Sequence, residues 1–510
     1  MRVPSALLAT VLGLPLAARA QLPPPAQPFW AGYAGDAQHT AVSPVASGAL
    51  GSIRWQTKVD TRPAYTANGS LLAHYGSPVV TQANTVIVPV KRRTTGGFQL
   101  VAFAGADARK LWRFRSNYRL PPHDWVPSFG PAISPNGTLW MPAAAGLLLR
   151  RGNLDLRGGA RKEYVAFYGY DNYRHDRRTY MNTVFINTPL TAGPDGAVYF
   201  GFMVTGDNPL SLVSGIARVA DDGTGTWVSA VTASGDSAMT KVAHNSAPAL
   251  SPDGSTLYVA VSNANGLGIG NGYLLALDSE TLATVAVRRL KDPVSGLDAA
   301  IHDDGTASPT IGPDGDVFFG VLESPLGSHH FRGWLLHFDA NLAPAGVPGG
   351  FGWDDTASIV PSSMVASYAG TSPYLLFVKY NDYAGAGGDG VNRIAVIDPG
   401  DQVLDPISAA PIMRPVLTVA GPTPDVDKLP LWPNAVREWC INTGAVDPAT
   451  SSILVNNEDG KLYRWSMTTG TLSETIVLTA GLLEAYTPTL IGPDGSVYAI
   501  NDATLFAVGP

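Results

Sequence analysis

The chain has 510 residues, of which 15% are charged, and its net charge is -7. That length exceeds one ordinary compact core and calls for several domains or a repeat architecture, while the acidic balance excludes the broad basic surface that a nucleic-acid backbone requires. A single cysteine, Cys440, excludes an intrachain disulfide.

In chain order, residues 1–20 read as a signal peptide: Arg2 precedes the apolar run Ala6 to Leu16, and Ala18-Arg19-Ala20 has the small-x-small cleavage pattern. The mature chain is therefore expected to be secreted or periplasmic. No later stretch is apolar over the length that a bilayer crossing needs. Residues 21–50 form a Pro-rich leader containing Gly-Asp-Ala-Gln-His-Thr at Gly35 to Thr40.

From residue 51 to 510 the sequence repeats one plan and is expected to form a single domain. The clearest copy runs from Asn245 to Val285: an apolar run to Leu250, a Ser251-Pro252-Asp253-Gly254 turn, an alternating strand from Thr256, and two more strands after a Gly-rich loop. Similar meanders start near His74, Trp125, Ile186, Thr306, Ser362, Ile441 and Tyr486. Residues 150–180, rich in Arg and Tyr, interrupt the second as an insertion, and the sixth is degenerate around its Gly-rich loop Asn381 to Asn392. The eighth stops one strand short, and Ile53 to Val59 is a strand with no hairpin partner of its own. Joining the two closes the ring and removes both exposed edges. The fold expected is all-β, an eight-bladed β-propeller of four-stranded antiparallel blades whose last blade is completed from the N-terminus. Pro fixes φ, Asp or Asn bonds its own turn, and Gly takes positive φ in each SPNG, SPDG or GPDG turn after an innermost strand.

The Gly35–Thr40 leader before a Trp-bearing strand, the small-Pro pairs Ser77-Pro78 and Ser308-Pro309, and strand ends such as Leu274 to Leu282 resemble the propellers of the pyrroloquinoline-quinone-like superfamily. The resemblance implies the propeller fold. It also implies that PQQ with Ca²⁺ is a conceivable cofactor, although the adjacent cysteines against which such a quinone stacks and a C-x-x-C-H haem motif are absent.

Residues leading into the innermost strands converge at one mouth of such a ring. They are His74, Tyr75, Trp125, Asn187, His244, Asn245, Asp304, Glu438, Trp439, Glu484 and Tyr486. Aromatic, imidazole and carboxylate groups gathered in a funnel suit a small molecule, a carbohydrate or a protein segment. The main reading is a monomeric binding propeller. A His/Tyr pair serving a polysaccharide lyase, carboxylates such as Asp304 and Glu438 serving glycoside hydrolysis, and a quinone-dependent dehydrogenase are the enzymatic alternatives. His302-Asp303-Asp304 reads as a solvated acidic turn, His329-His330 as an exposed loop, and Cys440 as a small buried hydrophobe.

Overall fold

The computed structural model describes residues 27–63, 76–122, 129–158, 162–264, 268–303, 305, 307–441, 443–480 and 489–510. Eight small antiparallel sheets stand in a ring, an eight-bladed β-propeller. The fourth shows the plan: Ala249–Leu250, Thr256–Ser262, Gly272–Asp278 and Thr284–Arg289 pair in sequence order from the channel outward. Its first turn works as the sequence demands. Asp253 Oδ1 accepts from Ser255 N–H at 3.0 Å, and Gly254 takes φ 75°, a conformation that costs glycine nothing.

The ring closes as the orphan strand requires. Ser52–Lys58 pairs antiparallel with Thr504–Gly509, with Trp55 opposite Ala507 and Gln56 opposite Phe506. The Trp55 indole donates to Gly105 O at 2.6 Å, so the closing strand is bonded to the first sheet as well as to the eighth. Other blades are stapled in the same manner. Tyr498 Oη donates to Asn84 Oδ1 at 3.0 Å, Trp112 Nε1 to Leu154 O at 2.6 Å and Trp334 Nε1 to Asp292 Oδ2 at 2.9 Å. These four buried aromatics, each with its polar atom bonded, combine area with register.

Two sheets differ from expectation. The sixth is complete: Ser358–Pro361, Tyr374–Lys379, Arg393–Leu404 and Pro411–Ala420 form four strands. Its innermost strand precedes Ser362, where the run Ser362 to Gly370 had suggested one; that run is instead a short 3-10 turn, Ser362–Met364, and a loop. The reduced sheet is the fifth, with strands Thr310–Ile311, Val317–Val321 and Trp334–Phe338 and an outer edge made only by bridges to Gly349 and Pro344. Three glycines and two prolines from Pro344 to Gly350 explain why no regular fourth strand forms there. Within residues 150–180, Glu163–Ala166 serves as the outer strand of the second sheet and Tyr170–His175 is a short helix. Tyr168 and Tyr173 are buried, and Tyr168 Oη donates to Ala145 O at 2.9 Å.

The leader is the least regular part of the fold and touches most of it. Pro28–Trp30 adds an extra strand on the channel side of the first sheet. The chain then follows the inner rim of the ring. The N–H groups of Ile133, Leu250, Ile311, Ile359 and Val446 donate to the carbonyls of Ala31, Ala37, Gln38, Thr40 and Ala41, at 2.8, 2.8, 2.9, 3.0 and 2.9 Å. Gly48 N–H donates to Gly495 O at 2.8 Å. These partners sit at the turn ends of the innermost strands, so the leader straps that end of the channel. Ala34, Gly35, His39 and Ala41 all have φ between 49° and 94°, which coils the strap. Asp36 holds the coil, its Oδ1 accepting from Gln38 N–H at 3.1 Å and Thr40 N–H at 2.9 Å while the Thr40 hydroxyl bonds Oδ2. At the strap's end Arg464 donates to Ser47 Oγ at 2.8 Å and to Gly48 O at 2.5 Å.

Candidate functional site

With the turn end strapped, the opposite mouth is where polar side chains gather. The strap supplies its floor: Tyr33 bonds Thr356 Oγ1 at 3.0 Å, and burial holds its phenol pKa well above the ordinary value. His39 packs edge-on against Tyr33, with ring centroids 5.2 Å apart, and its Nδ1 bonds Pro309 O at 2.7 Å. Burial pushes the His39 pKa down to about 4, so the imidazole is neutral.

Of the residues expected at the mouth, His74, Tyr75, Trp125, Asp304, Glu484 and Tyr486 lie outside the described residues. Asn187, His244 and Asn245 do come together. Asn187 Nδ2 donates to Val242 O at 2.9 Å and lies 3.4 Å from His244 Nδ1, and Asn245 N–H donates to Asn187 O at 3.0 Å. Asn245 takes φ 59°, a left-handed conformation that Asn tolerates better than most residues. Glu438 and Trp439 belong to the far side of the ring, at the seam between the sixth and seventh sheets. Trp439 is fully buried in that core, 5.5 Å from the Tyr463 ring, and its backbone is held by both ends of the Asn381 amide, at 3.2 and 3.1 Å. Glu438 is half-buried, with its N–H on Glu458 Oε1 at 3.1 Å.

The strongest electrostatic cluster centres on residues that sequence reasoning missed. Trp353, Asp354, Asp355 and Thr356 lead into Ser358–Pro361, the innermost strand of the sixth sheet. Lys379 ends the next strand, and its backbone N–H donates to Asp355 Oδ2 at 3.0 Å. Asp355 Oδ1 has no hydrogen-bond partner among the described residues, and burial lifts this carboxyl to about 8 against the pull of Lys379 and with a push from Asp354. Burial also raises Glu438, again opposed by Lys379. Tyr383 is raised by burial first and by Glu438 second. Lys379 is 3% exposed, and its ammonium lies 5.9 Å from the Phe351 ring centroid with no hydrogen-bond acceptor among the described residues. One ammonium therefore lies in the field of two carboxyls whose pKa values burial raises. Trp353 is half-buried and sits edge-on to His302 at 5.5 Å, forming an aromatic wall.

The misplacement of the sixth innermost strand hid this cluster. Once that strand starts at Ser358, the rule that located Asn187 and His244 also selects Asp354 to Thr356. Asp303, expected in solvent, is instead fully buried in an ion pair with Lys241 at 2.7 Å. His329, expected in an exposed loop, is stacked on Trp334 at 3.8 Å and bonded to Asp405 Oδ2 at 3.2 Å. Cys440 is buried, with its N–H on Asn457 Oδ1 at 3.3 Å.

No family model and no curated protein matches the chain. Among solved structures, a europium-containing methanol dehydrogenase is similar with a TM-score of 0.56, covering 92% of this chain and 89% of its own at 10% identity. The chain has the fold of the quinoprotein alcohol dehydrogenases. Quinohemoprotein alcohol dehydrogenases from Comamonas testosteroni and Pseudomonas putida HK5 each match at a TM-score of 0.54, with 12% and 13% identity; both alignments cover 94% of this chain, and 80% and 76% of theirs. At such identity the likeness is one of fold. Tested against a quinone and its cation, the described residues do not fit. Trp353 offers one stacking face, Cys440 has no neighbouring cysteine to make the other, and no three metal-ligating side chains among the described residues cluster.

Asp355 gives the mouth a pH signature. Its folded pKa of about 8 lies above the ordinary 3.8, so the stability it contributes is complete below about pH 4 and is lost as pH rises toward 8. Asp355→Asn removes the ionisation. In thermal melts the variant gains on the native chain as pH rises from 4 to 8 and levels off above that; a constant difference across the range contradicts the assignment.

Proposed function

We propose that this protein is a binding propeller that takes a small polyhydroxylated acid at the mouth of its central channel. The observation that carries the reading is the Lys379 ammonium, buried and without a hydrogen-bond acceptor among the described residues. An ammonium of so little exposure, with no acceptor of its own among the described residues, gains a charge-assisted contact from an anionic group arriving from solvent. Asp355, which burial lifts to about 8, is matched to a hydroxyl group, because a protonated carboxyl can donate as well as accept, and Glu438, also raised by burial, shares the field of Lys379. Trp353 supplies an apolar face for a sugar-like ring. Lys379 and Asp355 belong to the sixth blade and Glu438 leads into the seventh, so the site requires the two blades side by side.

The test uses gluconate and galacturonate as probes, with glucose as the uncharged control, in isothermal titration of the full chain. The acids bind and glucose does not, and Lys379→Met weakens acid binding by about tenfold or more, the effect of one lost charge-assisted contact. Its melting temperature stays close to the native one, since methionine keeps the buried aliphatic stem beside Phe351. Equal binding by the variant, or no binding of either acid, contradicts the reading.

We also propose that the chain works outside the cytoplasm, supported by the basic, apolar and small-residue regions of residues 1–20; no helix among the described residues is long and apolar enough to cross a membrane. Expressed with its full N-terminus in an exporting host, the mature protein starts at Gln21 by N-terminal sequencing; a retained Met1 contradicts export by this route.

A further inference from the structure

A second polar concavity lies where the ring closes, and it has the opposite charge to the chain as a whole. Its volume is about 710 Å³, within the range of small-ligand sites, and it is lined by Arg62, Arg92, Arg93 and Arg115 together with threonines and Gln99. No acidic side chain among the described residues lines it. None of the four guanidinium groups has a hydrogen-bond or ion-pair partner among the described residues, whereas most other arginines in the chain do, Arg150, Arg218, Arg289, Arg414 and Arg464 among them.

The arrangement is built rather than incidental. Lys91 is 5% exposed and pairs with the buried Asp60 at 2.7 Å; its ammonium also donates to the carbonyls of Arg62, Arg93 and Thr94 at 3.1, 3.1 and 3.0 Å. One buried cation thus draws three carbonyls inward and fixes the backbone on which Arg62 and Arg93 stand, leaving their side chains to solvent. The bridge between Asp60 and Lys91, with Thr61 N–H on Lys91 O at 3.1 Å, ties the closing strand's end to the first sheet. Arg115 arrives from the outer strand Lys110–Arg115, directly opposite Gln99. Gln99 is 5% exposed and its Oε1 is buried with no partner among the described residues, so an amide end already lacks a hydrogen bond inside the concavity. A buried polar atom left unbonded costs about 1–3 kcal/mol, which a ligand hydroxyl recovers.

We propose that this concavity is a binding site for an acidic oligosaccharide, with the arginines taking its carboxylate or sulfate groups and Gln99, Thr61 and Ser116 its hydroxyls. Guanidinium forks match planar and tetrahedral oxyanions, and a cluster of four free ones has no intramolecular role to satisfy. A saccharide suits the site better than a nucleic acid because the hydroxyl and amide lining is matched to sugar hydroxyls, no exposed aromatic ring lines it for base stacking, and the chain's net charge of -7 repels a long polyanion. Antiparallel pairing puts the loop carrying Arg92 and Arg93 and the end of the strand carrying Arg115 on the face of the ring that bears the channel mouth, opposite the strapped end. The proposal rests on the first sheet and closing strand alone and stands whether or not the mouth binds an acid.

The test is titration of the full chain with trigalacturonate, a heparin tetrasaccharide, inorganic sulfate and a single-stranded oligonucleotide of matched charge, at low and at moderate salt. At least one acidic oligosaccharide binds more tightly than sulfate and than the oligonucleotide, and its binding weakens as salt rises. The double variant Arg93→Ala with Arg115→Ala binds it at least tenfold more weakly, Arg93→Lys with Arg115→Lys falls between, and both variants melt with the native protein because the side chains are exposed. The proposal is overturned if neither saccharide binds, if the alanine variant binds equally well, or if the oligonucleotide or sulfate binds as tightly as the saccharides. Lys379→Met, which removes the mouth ammonium, leaves this binding unchanged; a parallel loss would assign the saccharide to the mouth instead.

Discussion

Closing the ring ties down the two ends of the propeller but leaves an edge within each blade: the innermost strand faces the channel with unpaired backbone groups. Here a single irregular ribbon satisfies them. Five inner-strand amides, from five different sheets, donate to carbonyls within the eleven residues Ala31 to Ala41. Each such group left unbonded in a buried place costs about 1–3 kcal/mol, so the strap is worth more to the ring than its few apolar contacts suggest. Because it ties sheets that are distant in sequence, it also couples their stability, which a nearest-neighbour array of repeats otherwise lacks.

The strap makes the ring asymmetric, and this asymmetry places the polar chemistry. One end of the channel is filled by backbone and by neutral His39; the other end inherits the leads into the innermost strands, with Tyr33 reaching through from the strap to bond Thr356. Asp354, Asp355, Lys379 and Glu438 gather on one side of that mouth, and Asn187, His244 and Asn245 on the other. The mouth therefore has two different kinds of wall, one of titratable groups and one of amide and imidazole groups. The arginine concavity at the closure seam adds a third on the same face.

Much of the ring was legible because turn chemistry and strand alternation are local. The Asp-Gly turns at Asp195, Asp253, Asp314 and Asp494, the missing last strand and the orphan Trp55 strand sufficed for blade number and closure. The innermost strand of the sixth sheet escaped because Pro361 and the short Ser358–Pro361 strand give almost no periodic signal beside the longer Met364 to Tyr368 run, and with that register went the Asp354 to Thr356 lead. The strap escaped for a different reason. Its residues carry no pattern of their own; their conformation is dictated by carbonyls meeting five separate strands, a non-local constraint invisible in Gly35 to Thr40 read alone. Trp439, placed at the mouth by its position next to Glu438, turns into the core because its neighbours on the two sheets leave an apolar slot there.

The measurement that tests this account most directly is amide hydrogen exchange at Ile133, Leu250, Ile311, Ile359 and Val446, in the native chain and in Asp36→Ala, which removes the carboxylate that coils the strap. The account predicts that all five exchange as slowly as mid-sheet amides such as Val259 in the native chain, and that they accelerate together in the variant while Val259 does not. Five unrelated rates in the native chain, or no change on removing Asp36, would show that the ring stands without its strap.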